Sequence, residues 1–119
     1  MTLSDSPADA VARLVDILGA RLVAVITNVK QTRTVREWIE GREPLGNRTQ
    51  ILQFALEIAS AIKSRYDETV AQSWFQGLNH HLLDEAPALV LKNATEAESH
   101  VVLEHEKRVR DAARDFLER

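Results

Sequence analysis

The sequence contains no cysteine, and it has only four glycines and three prolines in 119 residues. Without cysteine it can form no disulfide bond, no cysteine-ligated zinc site and no thiol nucleophile. Its longest uninterrupted apolar run, residues 22–26, is far too short to span a bilayer. The opening MTLSDSPADA lacks the basic and apolar regions of a signal peptide. We therefore expect a cytoplasmic protein that does not cross a membrane.

Patterns typical of catalysis and metal binding are also missing. His80 and His81 are adjacent and so point to different faces, while His100 and His105 are five apart, a poor spacing for one helix face. The chain has neither a glycine-rich phosphate loop nor a nucleophile elbow. We therefore predict that the protein is not an enzyme and that it uses no metal and no cofactor.

The distribution of charge is more informative than its total. The formal net charge is −3, which taken alone argues against a nucleic-acid partner. Residues 21–48 nevertheless carry six basic and three acidic side chains, whereas residues 49–119 carry eight basic and twelve acidic ones. A short basic segment inside an acidic chain suggests a local binding surface for phosphate.

Helix signals run along nearly the whole chain. Ser6 has the position of an N-cap, Pro7 suits the first helical position and Gly19 marks the end of that helix. Residues 22–26 would also suit a strand, but no partner strand is evident elsewhere. We therefore predict a short buried helix there, and an all-α fold for the chain.

Two pairs of residues have the spacing of a capping box. Asn47 with Gln50 would open a long central helix, and Thr95 with Glu98 would open a final helix from about residue 96 to residue 118. Two further helix starts are predicted between them, at Asp67 and Pro87. We divide the chain into residues 1–46 and residues 47–119, packed together as one unit.

The stretch KQTRTVREWIEG, residues 30–41, places cations at the start of a helix. Such cations oppose the helix macrodipole and cost about 0.3–1 kcal/mol each at low salt. A polyanion near that end would reverse the sign, because free N–H groups and cations both attract phosphate. The predicted DNA-contacting residues are the basic, amide and hydroxyl side chains of this region: Lys30, Gln31, Thr32, Arg33, Thr34, Arg36 and Arg42.

The preceding helix and this stretch together resemble a helix-turn-helix of the Xre type. The pair would comprise residues 21–28 and residues 32–41, with Val35, Trp38 and Ile39 as the inward face of the second helix. The alternative is a helical hairpin whose charged face is merely solvated.

The run WFQGLNHHLLDEAPALVL resembles the toxin-binding domain of Xre/MbcA/ParS-like antitoxins. The matching positions are Trp74, Phe75, Asn79, Leu82, Pro87, Leu89 and Leu91. Their physical roles would be ordinary ones: Asn79 would satisfy loose backbone groups, and the leucines would pack over the central helix.

The resemblance covers about residues 10–95 and implies an antitoxin. In that family the first half binds operator DNA, the second half holds a toxin of the RES type that consumes NAD, and members commonly form homodimers. The NAD chemistry would belong to the toxin. Two alternatives remain open: an orphan helix-turn-helix regulator without a toxin, and a helical adaptor that binds only protein.

The final helix departs from the family pattern, in which the chain ends soon after the leucine pair with a glycine-containing segment. Val102, Val109 and Phe116 recur every seven residues along it. This stripe would pack on its own domain, pair with a second copy, or meet a partner. Two ion pairs at favourable spacing are also expected in this helix: Glu104–Arg108 and Glu106–Arg110.

Overall fold

The computed structural model describes residues 6–119, which form seven α-helices and one 3₁₀ turn. The helices are α1 (Pro7–Leu18), α2 (Ala20–Ile26), α3 (Thr32–Ile39), α4 (Arg48–Arg65), α5 (Glu68–Gln76), α6 (Pro87–Ala94) and α7 (Ser99–Leu117), and the 3₁₀ turn is His80–Leu82. The only strand-like pairing in this part of the chain is an isolated bridge between Asn79 and Glu85. The predicted all-α fold is confirmed.

Helices whose caps use neighbouring residues begin where the sequence predicts. The Ser6 hydroxyl accepts a hydrogen bond from the Asp9 amide at 3.1 Å, and Pro7 is the first residue of α1. The Asp67 carboxylate does the same for the Val70 amide, at 2.8 Å, at the start of α5. The short helix predicted at residues 22–26 is also present, as α2.

Neither predicted capping box forms, although α4 does begin directly after Asn47, as predicted. The Asn47 amide donates to the carbonyl of Ala97 at 2.7 Å, and the Gln50 amide donates to Glu106 at 3.1 Å, so neither side chain serves the start of α4. The hydroxyl of Thr95 donates to a carbonyl in the last turn of α6, and α7 begins at Ser99, three residues later than expected. The Asn47 and Gln50 amides bind residues that are distant in the sequence, so they are not available to cap the nearby helix.

α4 is the central helix. It packs against α1, α5 and α7, and its residues Ile51, Ala55, Ala59 and Ile62 are completely buried. The surrounding core is one continuous cluster that takes apolar side chains from both residues 6–46 and residues 47–119.

α7 packs on its own domain. Val102 and Val109 are completely buried, and Phe116 is half-buried with its ring centroid 6.4 Å from that of Trp74. Leu89 does not pack over α4 as predicted: it is largely exposed, because it faces outward from α6. No helix within residues 6–119 is long and apolar enough to cross a membrane.

The ion pairs of α7 also differ from those predicted. Neither predicted pair, Glu104–Arg108 or Glu106–Arg110, is among the ion pairs of the described residues. Glu106 is buried against Gln50 instead, and Arg110 reaches across to Glu57 on α4 at 3.4 Å. Within α7 the pairs that form are Lys107–Asp111 and Arg114–Asp111.

Candidate nucleic-acid interface and the C-terminal motif

α2 and α3 form a helix pair joined by the five residues 27–31. They pack against each other and against α1, so the pair is mounted on the rest of the core. Each helix is slightly shorter than predicted: α2 ends at Ile26 rather than residue 28, and α3 ends at Ile39 rather than residue 41.

α3 has one buried face and one charged face. Val35 and Trp38 are buried in the core, and Ile39 is half-buried beside them. Arg33 and Arg36 lie on the opposite, exposed face. A helix anchored by its apolar stripe therefore presents its cations to solvent.

The turn before α3 has a defined backbone conformation. Asn28 is left-handed, with φ of 59°, which asparagine tolerates better than most residues. Its amide donates to the carbonyl of Val25 at 3.1 Å, and the amide of Val29 donates to Ala24 at 3.0 Å. The buried hydroxyl of Thr27 donates to Val23 at 2.7 Å. These bonds fix the direction in which the chain leaves α2.

Arg48, the first residue of α4, holds the same turn from outside. Its Nε donates to the carbonyl of Thr27 at 2.7 Å and its Nη2 donates to the carbonyl of Asn28 at 3.4 Å. Its Nη1 donates to Leu45 at 3.3 Å, and its Nη2 lies 3.7 Å from the carboxylate of Glu96. The side chain is only 13% exposed. Sequence reasoning missed this role, because the carbonyls that it binds lie about twenty residues earlier.

Glu37 neutralises part of the exposed face of α3. Its carboxylate lies 3.5 Å from Nε of Arg33, and it also pairs with Nη1 of Arg42. Lys30 and Arg36 have no acidic partner within 4 Å in the described part of the chain, and the first turn of α3 contains no acidic residue. The anion-attracting groups are therefore two unpaired cations, Lys30 before α3 and Arg36 in its last turn, and two cations that share the Glu37 carboxylate.

The other predicted contact residues are not all on this face. Gln31 occupies the N-cap position of α3 without a side-chain cap bond, and Thr32 is half-buried. Thr34 and Arg42 line a cleft of about 170 Å³ beside Trp38. Thr34 thus faces the 41–47 connection, away from Arg33.

The family-motif residues of the second half are mostly interior. Phe75, Leu82 and Leu91 are fully buried, and Pro87 is the buried first residue of α6. Trp74 is also buried, with its ring edge-on to Phe75 at a centroid distance of 5.1 Å. These residues build the core, so they do not form a contact surface.

Of the two other motif residues, Leu89 is exposed on α6, and Asn79 organises the loop before α6. Its side-chain oxygen accepts from the amide of His81 at 2.9 Å, and its backbone carbonyl accepts from Leu82 and Asp84, each at 2.9 Å. The Asn79 side chain thus binds a backbone amide two residues later, as predicted from the tendency of asparagine to bond to nearby backbone groups.

The loop displays two leucines that the sequence did not single out. Leu78 is 80% exposed and Leu83 is 87% exposed. Leu83 is also left-handed, with φ of 58°, a conformation uncommon for residues other than glycine. No pattern in the sequence marks them, since their exposure depends on how the buried Leu82 between them is anchored.

His81 ties this loop to the end of α7. Its Nε2 lies 3.0 Å from Oδ2 of Asp115, which also accepts from Arg119 at 2.9 Å. Hydrogen bonds from Arg119 first, and then from His81, lower the pKa of the Asp115 carboxyl. Within residues 6–119, no group of three histidine or acidic side chains is arranged to hold a metal ion.

Glu106 is the one acidic side chain in the described residues that is buried. Burial raises the pKa of its carboxyl, and the hydrogen bond from Gln50 and the charge of Arg110 oppose that rise only in part. The Arg110 guanidinium meanwhile lies over the ring of Phe54, 5.0 Å from its centroid. This cluster joins α7 to α4.

No family model, curated protein or solved structure matches this chain. The likeness to Xre/MbcA/ParS antitoxins therefore depends on the motif residues themselves.

Proposed function

We propose that this protein is an antitoxin that binds operator DNA through α3 and neutralises a RES-type toxin through its second half. The observation that carries the DNA-binding part is the outward cationic face of α3, on a helix fixed by the buried Val35 and Trp38. The toxin-binding part rests on the motif resemblance alone.

The electrostatics of α3 favour an anion. Lys30 precedes the helix, Arg33 lies in its first turn and Arg36 follows one turn later, all exposed. Phosphate would be attracted by these cations and by the free amides at the helix start. In a major groove, Arg36 is the better placed to reach a base edge, with Lys30 on the phosphate backbone.

The toxin would meet exposed residues near the motif, because most of the motif residues themselves are buried. Leu78 and Leu83 are the most exposed large apolar side chains among the described residues, and both lie on the loop that Asn79 organises. Burying such apolar surface against a partner removes it from water, which is favourable. We assign the toxin contact to this loop.

Co-expression with the product of the adjacent open reading frame tests the toxin partnership. The expected result is rescue of growth together with co-elution of both chains on a sizing column. A toxic neighbour that is neither bound nor neutralised would contradict the proposal.

Leu83→Ser tests the assignment of the loop. The matched control is Leu103→Ser, which removes an exposed leucine from α7. We expect rescue to be lost in the first variant and kept in the second. Equal rescue by both variants would remove the loop from the interface.

A second candidate function is an orphan DNA-binding regulator. It is favoured by α7, which packs on its own domain in place of the glycine-containing segment that approaches the toxin in the family. This candidate predicts specific DNA binding, a neighbouring gene whose product is not toxic, and no complex with that product.

A further inference from the structure

We propose that Arg48 is a positioning residue for DNA recognition, which sets the angle between α2 and α3 without touching DNA. This inference rests on the proposed function, since it concerns how the same helix pair is held.

The location of Arg48 is electrostatically unusual. As the first residue of α4 it places a cation at the positive end of a helix dipole, which is unfavourable. Its guanidinium turns instead to the carbonyls of Thr27 and Asn28, at the negative end of α2. A cation there satisfies carbonyls that have no partner within the helix and stabilises the α2 end.

The two bonded carbonyls belong to the residues that set the turn. The carbonyls of Val23, Ala24 and Val25 already accept from backbone groups of the turn. Those of Thr27 and Asn28 are bound by Arg48, on either side of the left-handed backbone at Asn28. Losing the guanidinium would free the turn to change the direction of α3.

The same junction reaches the second half of the chain. Next to Arg48, the Asn47 amide binds the carbonyl of Ala97, and the Arg48 guanidinium faces Glu96. Asn47 and Arg48 therefore connect the α2–α3 turn to the loop between α6 and α7. Arginine suits the position because its planar fork serves several acceptors at once, which a lysine ammonium on a flexible stem does not reproduce.

Arg48→Lys separates geometry from charge, because it keeps the charge and removes the fork. The probes are a duplex carrying the DNA upstream of the chain's own gene and a duplex of the same composition in scrambled order. We expect affinity for the upstream duplex to fall about tenfold, comparable to one mismatched base pair, with affinity for the scrambled duplex unchanged. Arg65→Lys, at the exposed far end of α4, is the matched control and should change neither.

The outcomes are distinct. Equal losses on both duplexes would make Arg48 a phosphate contact, and unchanged affinity would show that its fork is dispensable; either overturns the inference. Wild-type protein that fails to prefer the upstream duplex would overturn the proposed DNA binding itself.

A measurement on the wild-type protein covers the case in which Arg48→Lys does not fold. The Nε–H of Arg48 should exchange slowly with solvent in an NMR experiment and keep its resonance when the upstream duplex is added. Rapid exchange, or a large shift on DNA binding, would overturn the positioning role.

Discussion

α3 and α7 are both amphipathic helices with a charged outer face, but they differ in how many of those charges form ion pairs. α7 contains four basic and four acidic residues, and its outward charges are mostly paired: Lys107 and Arg114 with Asp111, and Arg110 with Glu57. The segment 30–42 contains four basic and two acidic residues, and it leaves Lys30 and Arg36 without an acidic partner among the described residues.

The difference lies in how much charge each surface leaves available to a ligand. Exposed ion pairs contribute little stability, typically below about 1 kcal/mol, yet they leave no charge for a ligand to neutralise. Unpaired cations such as Lys30 and Arg36 do the opposite, because they stay available to a polyanion, which the free amides at the start of α3 would also attract. This contrast is the reason for proposing α3 as the binding helix and α7 as the helix that supports it.

The largest expected effect is on stability, through the packing of α7. Val109 is a completely buried residue of α7, so Val109→Asp would bury an unpaired charge. The substitution should lower the free energy of unfolding by about 3–5 kcal/mol. Urea titration followed by circular dichroism measures this. Leu103→Asp, on the exposed side of α7, should cost less than about 0.5 kcal/mol. Equal stability of the two variants would mean that α7 is not docked in solution.

Arg36→Ala should reduce affinity for the upstream duplex by about 1–3 kcal/mol if the side chain reads a base edge. The control is Arg114→Ala, which removes an exposed and paired arginine from α7 and should leave the affinity for the upstream duplex unchanged. Fluorescence anisotropy at several salt concentrations would compare them. Equal affinities for the two variants would remove the recognition role from α3.

Glu37→Gln should strengthen DNA binding several-fold. It removes a negative charge from the binding face and releases Arg33 and Arg42 from their pairing, a change of about 0.2–1 kcal/mol. The control is Glu40→Gln, which removes the same charge from an exposed position that has no ion pair within the described residues. A gain no larger than that of the control would show that the pairing is irrelevant to binding.

The smallest effect concerns Glu106. Because burial raises the pKa of its carboxyl, the folded state holds a proton more tightly than the unfolded state does. The wild-type protein should therefore lose stability as the pH rises from about 4.5 through the raised pKa. Glu106→Gln keeps an amide beside Gln50 and should remove that loss, with a gain below about 1 kcal/mol at pH 7. Thermal melts at pH 4 and pH 7 would test this; a variant destabilised at pH 7 would contradict it.

The helices themselves were largely predictable from the sequence, since their signals are local. Ser6 and Asp67 cap amides three residues away, so spacing alone located both starts. Spacing also located the start of α4 after Asn47. It failed to predict the side-chain bonds there, because the amides of Asn47 and Gln50 bind groups 50 and 56 residues away. A polar side chain near a helix start bonds to the partner that the tertiary fold brings closest. The residues next to it in the sequence do not identify that partner.

The candidate site was predictable to a similar extent. The cationic start of α3 and its buried Val35 and Trp38 follow from helical spacing. Thr34 turned towards the 41–47 connection, because it lies nearer the buried side of the helix than its polarity implied. The contacts of Arg48 were not predicted, because the carbonyls that it binds belong to a turn about twenty residues earlier in the sequence.

The bond between Asn47 and Ala97 also bears on the order in which the protein is made. α2 and α3 leave the ribosome well before the loop after α6, and chains are synthesised at about 5–20 residues per second. The helix pair would therefore spend several seconds without the support that this loop and α6 provide. During that interval its cations would be exposed without the packing that positions α3, so the proposed selectivity for one DNA sequence would require the last third of the chain to have folded.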